Sequence, residues 1–295
     1  MTATEETTAR PGVVLITGTS SGIGLATAVA AARAGFTTVA TMRSLDRAQP
    51  LLDAARDAGV TVDLRRLDVT DAESVTGCVK DVEQAYGRLD AVVNNAGISN
   101  FDPTLEMSTM DALRANLEVN FFGVIAVSRA AMPLLRAARG RLVTIGSVHG
   151  VVGQPFNEAY SAAKFAVEGF MESLAPVAGA HGVKVSIVVP GFVSDTSFGV
   201  FPDINRATVQ AASGPYAPTF GDYIDWVRGQ GWEAAGQVSR EVAEVVLRTL
   251  TEERPAFRVP ANRWAAEYLE HKLADQDGST VQTLARTWIG RPDPS

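Results

Sequence analysis

The sequence predicts an α/β protein: a doubly wound parallel sheet in three layers, α/β/α, forming a single domain. Three observations predict it. Short apolar runs alternate with helical stretches through the first 190 residues, and crossovers of that kind demand parallel strands with helices on both faces. A glycine-rich turn joins the first run to the first helix. The polar, chemistry-bearing residues fall at the carboxyl ends of the runs, where ligands bind in such sheets.

Gly12 to Thr17 (GVVLIT) is a continuous apolar run, the pattern of a strand buried on both faces. The turn from Gly18 to Gly24 follows, then an Ala-rich helix from Leu25 to Ala34 with Gly35 as its stop. Phe36 to Thr41 is the second strand, Asp46 to Ala58 the second helix and Val60 to Leu67 the third strand. Thr70 and Glu73 form a capping box that opens the next helix. Leu89 to Val93 is the fourth strand, and one long helix spans about Thr109 to Ala138 and carries Asn120. Arg141 to Ile145 is the fifth strand, Asn157 to Ala180 a helix holding Tyr160 and Lys164, and Val183 to Val189 the sixth strand. Ser239 to Leu250 reads as a Ser-capped helix and Ala256 to Val259 as a last strand, with amphipathic helices at Arg263 to Leu273 and Thr280 to Ile289.

Residues 192–236 break the alternation. They scatter Phe192, Phe198, Phe201, Tyr216, Phe220, Tyr223, Trp226 and Trp232 among Gly and Pro. An unstructured connection of this length is uncommon and usually functional, so a lid over a ligand is expected. The division is a flexible N-terminus at 1–11, a main domain at 12–260 that includes the 192–236 segment, and a helical extension of it at 261–295.

The chain has 295 residues, 46% hydrophobic and 20% charged, with a net charge of −7 and a pI near 5.1. It can bury a full core. No basic patch points to nucleic acid. Cys78 is the single cysteine, which excludes an intrachain disulfide and cysteine metal clusters, and no His/Glu cluster has ligand spacing, so no metal site is expected. Residues 1–11 lack the basic and apolar regions of a secretory signal. No apolar run approaches the ~20 residues of a bilayer span. The expectation is a cytoplasmic protein with no membrane span.

Four features carry chemistry. In TGTSSGIG, at 17–24, the glycines let the backbone turn tightly and approach a pyrophosphate, whose charge a helix N-terminus favours. At the end of the second strand, Met42 occupies the position where an acid would hold the ribose 2′-hydroxyl of NAD, and Arg43 follows, which favours the 2′-phosphate of NADP. Tyr160 and Lys164 lie at i and i+4 on one helix face. The ammonium is expected to lower the phenol pKa, which tunes it for proton transfer; the same spacing also occurs on ordinary solvated helices. His149, two residues past Ser147, is either a polar contact to a substrate or a loop histidine, with Gln154 and Asn157 as similar candidates.

With these motifs the chain resembles the short-chain dehydrogenase/reductase family of the common single-domain, Rossmann-type form, nearest its hydroxysteroid and retinol dehydrogenase branch. The resemblance runs from about Val13 to Thr196. It rests on TGTSSGIG at 17–24, Asp68-Val69, NNAG at 94–97, Asn120, Ser147, YSAAK at 160–164 and Pro190-Gly191. Ser147 precedes Tyr160 by 13 residues and follows Asn120 by 27, both usual separations.

The resemblance implies a catalytic set of Asn120, Ser147, Tyr160 and Lys164. Tyr160 would be the acid in ketone reduction, Lys164 would lower its pKa and bind the nicotinamide ribose, and Ser147 would fix the substrate oxygen. Asn120 would hold a relay water. Gly18, Ser20, Ser21, Gly22, Ile23 and Gly24 would cradle the cofactor phosphates. Asp68 and Val69 would meet the adenine, and Asn94, Ala96 and Gly97 the adenosine ribose. Pro190, Gly191, Val193 and Thr196 would meet the carboxamide, and Phe192 would join His149, Gln154 and Asn157 in the substrate pocket. One departure is Asp195, which occupies the family's usual Thr position and displaces Thr196 by one residue.

The implied activity is NADP(H)-dependent hydride transfer between nicotinamide and a ketone or secondary alcohol, apolar and bulky (steroid-, retinoid- or polyketide-like). The alternatives are a 3-oxoacyl-thioester reductase and a non-catalytic NADP-binding sensor or scaffold. A homodimer or homotetramer, paired through the helices around Asn120 and Tyr160, is also implied.

Overall fold

A computed structural model describes residues 12–99, 103–196, 203–229, 236–270 and 275–279. Residues 1–11 and the helix expected at 280–289 lie outside the described residues. Among the described residues, seven strands form one sheet: β1 Val13–Ile16, β2 Thr37–Met42, β3 Asp63–Arg66, β4 Ala91–Asn94, β5 Arg141–Ile145, β6 Lys184–Val189 and β7 Arg258–Pro260. Their order is β3-β2-β1-β4-β5-β6-β7, and every pairing is parallel.

The sheet is buried on both faces, as its apolar runs require. Along β1, Val13 and Leu15 enter one core cluster while Val14 and Ile16 enter the other, the two-residue alternation of a strand. One cluster lies under α3 (Ala72–Tyr86), α5 (Gly123–Ala138) and α6 (Glu158–Gly179). The other lies under α1 (Gly22–Arg33), α2 (Gln49–Asp57) and α9 (Ser239–Thr251). The order reverses at β1 and β4, and the crevice beyond their carboxyl ends is where such sheets bind ligands.

Several boundaries differ from the sequence expectation, each for a local reason. Helix α1 starts at Gly22 rather than Leu25, so the last glycines of the turn form its first turn; Ser21 makes no side-chain cap bond. The cap of α3 is Asp71, not Thr70: its carboxylate accepts from the Glu73 and Ser74 amides, while Thr70 donates to Asp68. Ser239 is not the cap of α9 but its first residue, and its amide and hydroxyl both donate to Asp195 Oδ1 at 2.7 and 2.8 Å.

The single helix expected at 109–138 is divided into α4 (Met110–Leu117), one π turn (Glu118–Phe122) and α5. π turns cluster at functional sites, and this one carries Asn120. Taken together, Met110–Ala138 is long and apolar enough to cross a membrane. Along it, Val124, Val127, Ala131 and Leu135 sit in the core.

The segment expected to be unstructured is largely helical: α7 (Asp203–Ala212) and α8 (Ala217–Gly229) occupy most of 192–236. Phe198, Phe201 and Trp232 lie outside the described residues. Phe220 and Ile224, one turn apart on α8, are both 1% exposed and pack on Phe156 and Val209. Burying side chains of this size contributes about 1.5–3 kcal/mol each. Phe156 has a φ of +57°, a costly conformation for an aromatic residue, and the α8 contact holds it there. After β7 comes α10 (Arg263–Glu270), shorter than the expected 263–273, whose last residues lie outside the described set.

Candidate active site

A cleft of roughly 590 Å³ opens at the carboxyl ends of the strands. Its near end is the glycine turn. Gly18 has a φ of +70°, and a Cβ there would stand 2.7 Å from Ala96 Cα. A Cβ on Gly24 would stand 2.3 Å from the Gly18 carbonyl oxygen. These glycines let the turn lie flat against the end of β4. The Thr17 hydroxyl locks it by accepting from the Asn95 and Ala96 amides, and Asn95 Nδ2 donates to the Thr17 and Gly18 carbonyls.

Gly18, Ser20, Ser21, Gly22, Ile23, Gly24, Asp68, Val69, Ala96 and Gly97 all line the cleft. Asn94 does not. As the last residue of β4 it points into the core and donates to Ser128 and Thr144, with its Oδ1 buried and unpaired. Its neighbour Asn95 takes the place at the turn, because successive strand residues face opposite sides. Arg43 lines the cleft and is joined by Arg47, which the sequence reading missed because it lies a turn further on, in the 3₁₀ segment Leu45–Arg47. Burial pushes the Asp68 carboxyl up, yet hydrogen bonds from Thr70 and the charges of Arg43 and Arg66 hold it below its usual value.

At the far end, Ser147, Tyr160 and Lys164 meet. Ser147 leaves β5 and accepts from the His149 amide at 3.2 Å. Tyr160 and Lys164 lie one turn apart on α6, the Tyr160 hydroxyl hydrogen-bonded to Ser147. The Lys164 amine donates to the Ile145 carbonyl at 2.9 Å and lies 5.7 Å from the Tyr160 ring centroid. The expectation that Lys164 depresses the tyrosine is not met. Burial pushes the Tyr160 phenol up to about 12 against the Ser147 hydrogen bond. The same burial drives Lys164 down to about 8, with the Glu168 carboxylate pulling it back up. Desolvation is the dominant influence on both groups.

Asn120 is buried behind the cleft wall rather than on it. Its carboxamide bonds the Ile98 backbone in both directions, accepting at 3.1 Å and donating at 2.8 Å, and its second N–H goes to Asn116 Oδ1 at 2.7 Å. Both side-chain donors therefore go to protein groups, and Asn120 pins the loop after β4 to the π turn.

His149 lies edge-on to Tyr160, ring centroids 5.3 Å apart, and is held neutral: burial and Lys164 push it down to about 4 against a hydrogen bond donated to Gln154. Gln154 Oε1 accepts from the Tyr223 hydroxyl at 3.1 Å, which ties α8 to this corner. Asn157 is buried at the cleft wall and donates to the Pro155 carbonyl. Phe192, Phe220 and Tyr223 make the wall beyond it aromatic.

Pro190, Gly191 and Val193 border the cleft, with the Pro190 carbonyl accepting from the Val148 amide. Thr196 is brought in despite its one-residue displacement. It is buried, its hydroxyl donates to the Val193 carbonyl, and its methyl would stand 3.1 Å from a Cβ on Gly22. Trp264 of α10 covers Gly191; no local motif announced it, since it reaches the site only through the tertiary fold. The glycine turn, the basic corner and the length of the cleft fit a dinucleotide running from the turn toward Tyr160.

A family model described as short chain dehydrogenase matches residues 12–201. Retinol dehydrogenase 8 of Bos taurus is 34% identical over 283 residues, covering 91% of this chain and 87% of that one. The 17-beta-hydroxysteroid dehydrogenase type 1 of Mus musculus is 35% identical over 280 residues, covering 92% and 79%. Among solved structures, an actinorhodin polyketide ketoreductase variant with NADPH aligns with a TM-score of 0.71 at 26% identity, covering 85% of this chain and 95% of that one.

Proposed function

The chain belongs to the short-chain dehydrogenase/reductase family, and on that premise we propose that it is an NADP(H)-dependent oxidoreductase of bulky, apolar ketones and secondary alcohols. The observation that carries the proposal is the meeting of Ser147, Tyr160 and Lys164 at one end of a cleft whose other end is the glycine turn.

When bound, the cofactor supplies or accepts a hydride at C4 of its nicotinamide. The chain supplies the rest. The Ser147 hydroxyl orients the substrate oxygen. Tyr160, kept protonated by its burial, gives its proton to that oxygen as charge develops there. Ser147 and the Lys164 ammonium stabilise the phenolate left behind. In alcohol oxidation the same groups work in reverse. Asn120 positions the Ile98 loop that closes the cleft floor.

Arg43 and Arg47 support a preference for NADP(H), since a guanidinium pairs with a 2′-phosphate and no acid stands at the end of β2. The aromatic wall of Phe192, Phe220 and Tyr223 supports an apolar substrate, as do relatives named for retinol and 17-beta-hydroxysteroids. Neutral His149, with Gln154 and Asn157, supplies the polar contacts of that pocket. Self-association is part of the proposal: Phe122, Phe165, Phe170 and Val177 leave apolar surface exposed on the outer side of α6 and the π turn.

The test is NADPH oxidation across a panel of steroid, retinoid-type and polyketide-type ketones, with Tyr160→Phe as control. Activity that survives Tyr160→Phe refutes the mechanism.

A further inference from the structure

We propose that Glu168 and Arg258 are positioning residues for Lys164: the buried Glu168 carboxylate, anchored by Arg258, supplies the counter-charge that keeps Lys164 an ammonium. Glu168 follows Lys164 by one turn on α6 and so shares its face. Its side chain is 7% exposed and that of Arg258 5%. Glu168 Oε2 accepts from Arg258 Nε at 3.1 Å and Nη2 at 2.8 Å. Arg258 is held in turn by Glu172 Oε2 at 3.4 Å and by the Asp275 carbonyl at 3.3 Å, and its amide donates to the Asp277 carbonyl. The last described residues are thus tied to the pair.

The other oxygen of Glu168 is what directs the inference. Oε1 is buried with no hydrogen-bond partner. It lies 3.6 Å from where a Cβ on Gly146 would stand, and Glu168 Cγ lies 3.1 Å from where one on Gly150 would stand. Gly146 and Gly150 bracket Ser147, so the carboxylate fills the space they leave between α6 and the Ser147 turn. The Lys164 amine is fixed to Ile145, the residue before Gly146. A buried carboxylate with an unpaired oxygen is costly unless nearby charge compensates it, and Arg258 satisfies one oxygen alone. Burial pushes the Glu168 carboxyl up, and the charges of Arg258 and then Lys164 pull it back; Glu168 in turn opposes the burial that drives Lys164 down. Among the described residues, the titratable and charged groups around the pair are Tyr160, Lys164 and Glu172 on α6, His149 from the Ser147 turn, and Arg258 on β7 with Asp275 and Asp277 beside it. His149 is neutral across the working range.

The inference rests on the proposed Tyr160–Lys164 chemistry, and its test separates the two. The pH dependence of kcat for NADPH-driven ketone reduction is measured, with melting temperature, for the wild type, Glu168→Gln, Glu168→Asp, and Glu168→Leu combined with Arg258→Met. Without the carboxylate, Lys164 loses its proton at lower pH. The alkaline limb of Glu168→Gln therefore moves down by about one pH unit, a roughly tenfold loss of kcat above the limb, with KM little changed. Glu168→Asp keeps the charge and keeps the limb. The double variant removes the pair without stranding a buried guanidinium, so it tests the proposal even if Glu168→Gln does not fold; its limb moves in the same direction. An unmoved limb in every variant that lacks the carboxylate and folds overturns the proposal, whatever the melting temperatures show. If Tyr160→Phe is inactive while the limb stays put, only the Glu168 role fails. If Tyr160→Phe is fully active, the catalytic assignment fails with it.

Discussion

Gly191 lies against the edge of the Trp264 indole: a Cβ on Gly191 would stand 2.3 Å from its Cε3 and Cζ3 atoms. The helix after β7 thereby sets the height of the Pro190-Gly191 turn, which borders the nicotinamide end of the cleft. Gly191→Ala is expected to displace one or the other, at a cost of about 1–3 kcal/mol for overpacking, and to weaken NADPH binding about tenfold. Adding Trp264→Ala removes the clash and restores part of the affinity. Equilibrium titration with NADPH, alongside thermal melts of all three variants, checks this.

Tyr160→Phe keeps the ring but removes the proton. A loss of kcat of about 10²–10⁴-fold is expected, with NADPH affinity changed far less, because the ring is kept and the glycine turn lies at the other end of the cleft. Equal losses in kcat and in NADPH affinity would point instead to a damaged fold.

The pH profile of the wild type follows from the two shifted groups. Tyr160, at about 12, stays protonated through the whole practical range. Lys164, at about 8, is an ammonium below that pH and loses its charge above it. Ketone reduction is therefore expected to hold level at neutral pH and to decline as pH rises through about 8. Initial rates at saturating NADPH locate the limb.

His149 contributes to stability in an acid window. Its folded pKa of about 4 lies below the unfolded value near 6.5, so the unfolded chain binds the extra proton first. The associated stability is present above pH 6.5 and is lost as pH falls toward 4, amounting to roughly 3 kcal/mol. His149→Gln is expected to flatten denaturant-measured stability across that window. A slope identical to the wild type would show that other groups control it.

Arg43 and Arg47 line the same corner of the cleft. Replacing either by Ala is expected to raise the NADPH Kd about tenfold while leaving the NADH Kd within about twofold, since a charge-assisted pair to the 2′-phosphate contributes about 1.5–3 kcal/mol. Parallel titrations with the two cofactors decide it, and equal losses for both would assign these arginines to packing.

What the sequence determined by itself is the part written in local patterns. Apolar runs and helical stretches in alternation specify a parallel sheet, because crossover geometry leaves little choice. The glycines of 17–24 mark one end of the cleft, and the spacing of Ser147, Tyr160 and Lys164 marks the other. Tertiary structure decided what depends on distant neighbours. Asn95 rather than Asn94 secures the turn, because the end of β4 meets β1 there. The 192–236 segment became two helices because Phe220 and Ile224 found Phe156 to pack on. Asn120 had its donors claimed by Ile98 and Asn116. Above all, spacing put an ammonium beside Tyr160, but spacing carries no information about water. Folding buried both groups, and desolvation, a property of everything packed around them, keeps the Tyr160 phenol protonated and leaves the charge of Lys164 dependent on its neighbours.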